Sequence, residues 1–291
     1  MFKGVFTAVV TPFDKKGNID FMSFEKLLNF QLKSKISGIL PCGSTGEASS
    51  LDEEEYIDIL KFTVEKVNKK KKVIAGFGTN STHKTLKLLK KVNEITLDAL
   101  LIIIPYYNKP TQKGIIEHFK IISQNTNHKI IIYNIPSRTG VNANPQTISE
   151  ISKIKNVVGI KEASGNIEQI SEIARICKKD FTILSGDDTL TLPIMSVGGH
   201  GVISVASNII PNEIADMCSL FEKGKIKDAI KIHKKYFTFI KSMFIETNPI
   251  PIKYILSKKK IIESDTLRLP LINLSKENSR YIDKIIKETK I

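Results

Sequence analysis

Short runs rich in Val, Ile and Leu recur eight times between residues 5 and 205, at 5–10, 38–41, 73–76, 99–104, 129–133, 157–161, 181–184 and 201–205. Most are near-continuous apolar runs, as strands buried on both faces should be. The segments between most of them carry helical periodicity, and helix starts are marked by local chemistry. Ser23-Phe24-Glu25 opens a run with Leu27, Leu28 and Leu32 on one face, and Asp52-Glu53-Glu54-Glu55 puts acidic residues where a helix N-terminus favours them. Thr111 before Gln112, and Asn144-Pro145, mark two more starts. Eight strands alternating with helices predict an α/β fold of the (β/α)8 TIM-barrel type. A doubly wound sheet is the alternative, but no Gly-x-Gly-x-x-Gly turn follows the first run.

After residue 205 the pattern is helical only, at 212–222, 225–244 and 276–287. Asn248-Pro249-Ile250-Pro251 and Leu267-Arg268-Leu269-Pro270 interrupt it and read as turns between helices. The expected organisation is a catalytic barrel over 1–210 and a C-terminal helical extension over 211–291 packed on it. A length of 291 residues lies within the range of single barrels.

Composition adds limits. The longest apolar run, 99–105, is far short of the roughly 20 residues a membrane-spanning helix needs, and the N-terminus lacks the zones of a secretory signal. A cytoplasmic protein is expected. Cys42, Cys177 and Cys218 fit neither a disulfide framework nor a zinc site, and two of the three are expected in the core. The formal charge of +14 raises the possibility of a non-catalytic basic binding protein. Its lysines, however, lie mainly on helical segments such as 84–91 and 223–235, which reads as a solvated face and predicts no nucleic-acid partner.

In a barrel the chemistry gathers at the C-terminal ends of the strands. Those ends carry Gly43-Ser44-Thr45-Gly46-Glu47, Tyr106-Tyr107-Asn108, the stretch Tyr133-Asn134-Ile135-Pro136-Ser137-Arg138-Thr139-Gly140, Lys161-Glu162-Ala163-Ser164-Gly165 and Gly186-Asp187-Asp188. Lys161 closes an apolar run, so its amine is carried into the barrel mouth. There desolvation disfavours the ammonium form, and a neutral amine is the form that attacks a carbonyl. A lysine snorkelling from a strand end is the plainer alternative. Tyr133 ends the adjacent strand, where a phenol can relay protons. Ser44 and Thr45 sit in a Gly-bounded turn whose amides can cradle a carboxylate, and Arg138 presents a fork suited to another. The five histidines do not pair at ligand spacing, so no metal and no cofactor is expected.

Together these motifs, with Thr11-Pro12, Leu184-Ser185-Gly186-Asp187-Asp188, Gly198-Gly199-His200-Gly201-Val202-Ile203-Ser204 and the two proline motifs of the extension, resemble the dihydrodipicolinate synthase family from end to end. That family belongs to the pyruvate-dependent Schiff-base lyases, which also include N-acetylneuraminate lyase. The resemblance implies condensation of pyruvate with L-aspartate 4-semialdehyde, a step of diaminopimelate and lysine biosynthesis, through an imine on Lys161. It also implies a proton relay of Tyr133, Ser44 and Tyr107, with Tyr107 supplied by a neighbouring subunit of a homotetramer. Thr45 and the backbone near Ile203 would hold the pyruvate end, and Arg138 the second carboxylate.

Two departures from the family pattern matter. Most synthases carry threonine where this chain has Ser44, and serine is usual in the N-acetylneuraminate lyases, so an aldolase of that kind is the alternative. The lyases do not match Arg138-Thr139-Gly140 or Tyr106-Tyr107-Asn108. The positions that bind inhibitory lysine in sensitive relatives match Ala48, Ser49, Glu53, Tyr56, Asn80, Lys84 and Tyr106. Sensitive enzymes usually have histidine at Tyr56 and glutamate at Lys84. A cation at residue 84 repels an ammonium ligand, so the site is expected to be degenerate.

Overall fold

The computed structural model describes residues 1–291. Strands β1 (Gly4–Ala8), β2 (Gly38–Leu40), β3 (Lys72–Phe77), β4 (Ala99–Ile103), β5 (Ile130–Asn134), β6 (Val157–Glu162), β7 (Thr182–Ser185) and β8 (Gly201–Ser204) follow one another around a closed barrel. All eight expected strands are present, with ends shifted by at most two residues. The helices are α1 (Phe21–Leu32), α2 (Glu53–Val67), α3 (Thr82–Val92), α4 (Gln112–Gln124), α5 (Pro136–Thr139), α6 (Pro145–Ser152), α7 (Ile167–Ile176), α8 (Thr191–Ser196), α9 (Pro211–Glu222), α10 (Ile226–Ser242), α11 (Ile250–Lys258) and α12 (Lys276–Thr289). None is long and apolar enough to cross a membrane.

Local chemistry explains most helix starts. Asp52 and Glu55 form a reciprocal capping box that opens α2, and Asn144 caps α6 with Pro145 in its first turn. Two starts differ from the expectation. Helix α1 begins earlier, because Asp20 accepts from the Ser23 amide; Ser23 itself is buried and its Oγ accepts from the Glu263 amide at 2.9 Å. The segment 248–251 is more than a turn, since Pro251 sits in the first turn of α11, where a missing N–H costs no helical bond.

The chain forms two compact units, Met1–Lys3 with Val73–Ile203, and Gly4–Lys72 with Ser204–Ile291. In the first, strand pairing runs parallel from β3 to β7, and Leu100, Ile102, Ile131 and Ile160 are fully buried. In the second, β1 pairs with β2, and Phe6, Phe13, Phe24 and Phe239 fill the interior. A polar knot ties α1 to the turn after β8: Gln31 accepts from the Thr7 hydroxyl and donates to the carbonyls of Ser207 and Asn208. Cys42 and Cys218 are buried, Cys177 is half-buried, and none of the three forms a disulfide.

His118 of α4 is buried, with Nδ1 2.8 Å from the Thr82 hydroxyl and no partner for Nε2. Burial pulls its pKa down from 6.5 to about 4. The unfolded chain therefore takes up this proton first as pH falls, and stability drops through the window between those values. At most about 3 kcal/mol is lost there from this group. Urea unfolding at pH 7 and pH 4.5 should show His118→Gln losing less stability than the parent; equal losses would assign the acid sensitivity elsewhere.

Candidate active site

Side chains alternate across a strand, so adjacent residues at a strand end serve opposite faces. In the β5–β6 ladder Tyr133 pairs with Lys161, and the next pair, Asn134 with Glu162, points the other way. Lys161 is 8% exposed and Tyr133 7%. The Lys161 Nζ lies 4.2 Å from the centroid of the Tyr133 ring, so amine and phenol share one small space. Gly186 keeps that space open: a Cβ there would lie 2.6 Å from the Ala163 Cβ and 3.2 Å from the Lys161 Cε.

On the opposite face, the fully buried Glu162 carboxylate accepts from the Asn134 side chain at 3.0 Å, the Ser164 amide at 2.7 Å and Gln169 at 3.4 Å. Burial raises its pKa, and these donors oppose the rise. Asn134 also donates to Asn142 and accepts from the Ala143 amide. The segment between Asn134 and Ala143 is thus closed at its base. It carries α5 and Arg138, whose side chain is exposed. The Tyr107 amide donates to the Thr139 carbonyl, while its side chain is 87% exposed on a left-handed backbone at φ 72°. Ile203 is buried in β8.

In the second unit, Ser44–Gly46 form a 3-10 turn after β2. The amides of Gly46, Glu47 and Ala48 close on the carbonyls of Gly43 and Ser44, so the turn itself does not use the N–H groups of Ser44 and Thr45. Ser44 is half-buried and Thr45 buried. Glu47 is left-handed at φ 51° and nearly inaccessible. Its Oε1 accepts from Lys253 Nζ at 2.5 Å, and its Oε2 from the Arg268 amide at 3.1 Å. Lys253 is fully buried, donates also to the Thr266 carbonyl, and sits 4.1 Å from the Phe13 ring centroid. Burial pulls its pKa down to about 8 against the opposing charge of Glu47. Arg268 grips Glu55 through both terminal nitrogens and donates to the carbonyls of Gly17 and Ser50, so each of its N–H donors finds an acceptor.

Of the positions matched to a lysine site, Ala48, Ser49, Glu53 and Tyr56 lie in the second unit, and Asn80, Lys84 and Tyr106 in the first. Tyr56 is buried, which pushes its phenol above the ordinary range, while Glu53 and Lys84 are exposed.

The dihydrodipicolinate synthetase family model matches residues 1–289. The chain belongs to that family. It is 46% identical to the 4-hydroxy-tetrahydrodipicolinate synthase of Endomicrobium trichonymphae over 289 residues, 99% of this chain and 98% of that one. Among solved structures it is similar to the synthase of Methylacidiphilum fumariolicum SolV, with TM-score 0.97 and 40% identity, covering 100% of this chain and 96% of that one. It is equally similar in fold to a monomeric dihydrodipicolinate synthase variant, with TM-score 0.97 and 40% identity, over 99% of this chain and 97% of that one. The expected family and barrel are borne out, and the family's members described here are enzymes.

The sequence reading gave no role to Glu47, Glu162, Asn248, Lys253 or Arg268, although all but Lys253 stand in motifs it quoted. For Lys253 a signal existed: it sits among Ile252, Ile255 and Leu256 on a mostly apolar helix. Charge there demands a buried partner. Glu162→Leu should cost about 1–3 kcal/mol, because it strips the acceptor from three donors beneath the Arg138 segment. Urea denaturation reads this directly, and a loss under about 0.5 kcal/mol would show that the donors find other acceptors.

Proposed function

We propose that this chain works as a 4-hydroxy-tetrahydrodipicolinate synthase, condensing pyruvate with L-aspartate 4-semialdehyde on Lys161. The observation that carries this reading is the Nζ of the buried Lys161, 4.2 Å from the Tyr133 ring centroid, in a chain that the family model matches over residues 1–289. The neutral amine attacks the keto carbon of pyruvate, and loss of water leaves an imine. Loss of a methyl proton gives an enamine, whose carbon forms the new C–C bond to the aldehyde. Tyr133, Ser44 and Tyr107 relay the protons, Thr45 and the backbone near Ile203 hold the pyruvate end, and Arg138 takes the carboxylate of the second substrate. No cofactor enters this scheme.

An almost fully exposed Tyr107 supports its service to a neighbouring copy, and so a homo-oligomer of at least two chains, built as a dimer of dimers. The monomeric family variant makes this a point to measure, by sedimentation. A cytoplasmic location is compatible with a biosynthetic role. The exposed Lys84 and buried Tyr56 support weak or absent inhibition by lysine.

Borohydride trapping with pyruvate, read by intact mass, should give one adduct in the parent and none in Lys161→Ala. In Tyr133→Phe the turnover number should fall by about 10²–10⁴-fold, the range a positioned acid-base group supplies. Turnover of aspartate semialdehyde, and none of N-acetylmannosamine, is expected; the reverse preference would make Ser44 the better guide to the substrate. Millimolar lysine should leave the rate unchanged, and a halved rate would refute the reading of Lys84.

A further inference from the structure

Thr45 does not hold its orientation alone. The Asn248 side-chain amide donates to the Thr45 Oγ1 at 3.0 Å, in a buried contact across 203 residues of sequence. A hydroxyl that accepts at its oxygen keeps its own hydrogen for another acceptor. Five residues beyond Asn248, Lys253 holds Glu47, the last residue of the same turn, while the Arg268 amide holds the other carboxylate oxygen. Glu47 is a non-glycine residue in the left-handed region, a conformation that persists only where its surroundings enforce it. The turn beneath Ser44 and Thr45 is thus fixed at its hydroxyl by Asn248 and at its base by Lys253.

We propose that Asn248 and Lys253 are positioning residues that set the affinity of the 43–47 turn for the keto-acid carboxylate. Asn248 fixes the Thr45 hydroxyl, and Lys253 holds Glu47 and with it the turn, whose own hydrogen bonds leave the amides of Ser44 and Thr45 unused. Neither touches substrate; each acts through the turn. This inference rests on the proposed function, in which Ser44 and Thr45 serve the pyruvate end.

The test is steady-state kinetics with each substrate varied in turn, together with borohydride trapping over a range of pyruvate concentrations. The variants are Asn248→Ala, Lys253→Met, and the double variant Glu47→Gln with Lys253→Met, which removes both charges and remains usable if the single lysine variant does not fold. The expected result is a rise of about tenfold or more in the pyruvate KM and in the half-saturating pyruvate for trapping. The KM for aspartate semialdehyde should stay within about twofold. A purely structural role would lower the active fraction, and with it the apparent kcat, without moving KM. A pyruvate KM within about twofold of the parent in Asn248→Ala and the double variant overturns the inference while leaving the imine chemistry intact. Absence of any adduct in the parent overturns the function itself, and with it this inference.

Discussion

A lysine and a glutamate taken wholly out of water cannot be separated without leaving a bare charge in the interior, and the Lys253–Glu47 pair imposes this constraint on the second unit. Removing one partner of such a pair typically costs about 3–5 kcal/mol, a large share of the roughly 5–15 kcal/mol that holds a domain folded. The pair need not add net stability to have this effect. Its desolvation penalty makes every arrangement that splits it expensive, so it selects one placement of α11 against the turn after β2. Glu47 keeps a left-handed backbone in that arrangement, with both carboxylate oxygens on their donors. Arg268 extends the same logic outward. Its bidentate pair with Glu55 fastens the segment that supplies the Thr266 carbonyl to Lys253, and the pairing lowers the Glu55 pKa and raises that of Arg268.

In the first unit the corresponding constraint is register. Because successive residues face opposite ways, the ends of β5 and β6 supply two pairs with separate tasks: Tyr133 and Lys161 on one face, Asn134 and Glu162 on the other. A slip of one residue would turn the amine to the other face, away from the phenol, and take the carboxylate from its donors. Glu162 is satisfied only where Asn134, Ser164 and Gln169 converge, so it pins the register that brings the amine to the ring. The proposed nucleophile therefore depends on a neighbour facing away from it.

Much of this was legible in the sequence, for identifiable reasons. Strands buried on both faces leave continuous apolar runs, and all eight were found; caps such as Asp52 and Asn144 are local and were readable as well. Ser23 misled because a serine beside an acidic residue has the look of a cap, whereas Asp20 fills that role and Ser23 serves Glu263. Pro249 and Pro251 masked α11, since a proline in the first turn of a helix resembles one that ends it. Lys161 was readable because it closes an apolar run at a strand end. The Glu47–Lys253 pair spans 206 residues, and nothing local to either residue names the other.

Depth orders the groups of the first unit in a way that bears on the proposed chemistry. Lys161 and Tyr133 are buried, Tyr106 is half-buried, and Tyr107 and Arg138 are exposed. Burial suits the covalent partner: an enamine sheltered from water is spared random protonation. Exposure suits groups that must admit and release a second charged substrate on each turnover, but it weakens them. A guanidinium or phenol in water competes with solvent for every hydrogen bond, and its electrostatic grip falls as the local dielectric rises. The chain thus shelters the proposed imine-forming pair, Lys161 and Tyr133, by itself. The exposed members of the proposed site, Tyr107 of the relay and Arg138 at the second carboxylate, gain strength only when something excludes water from them, and a second copy of the chain would do this without adding a new kind of residue.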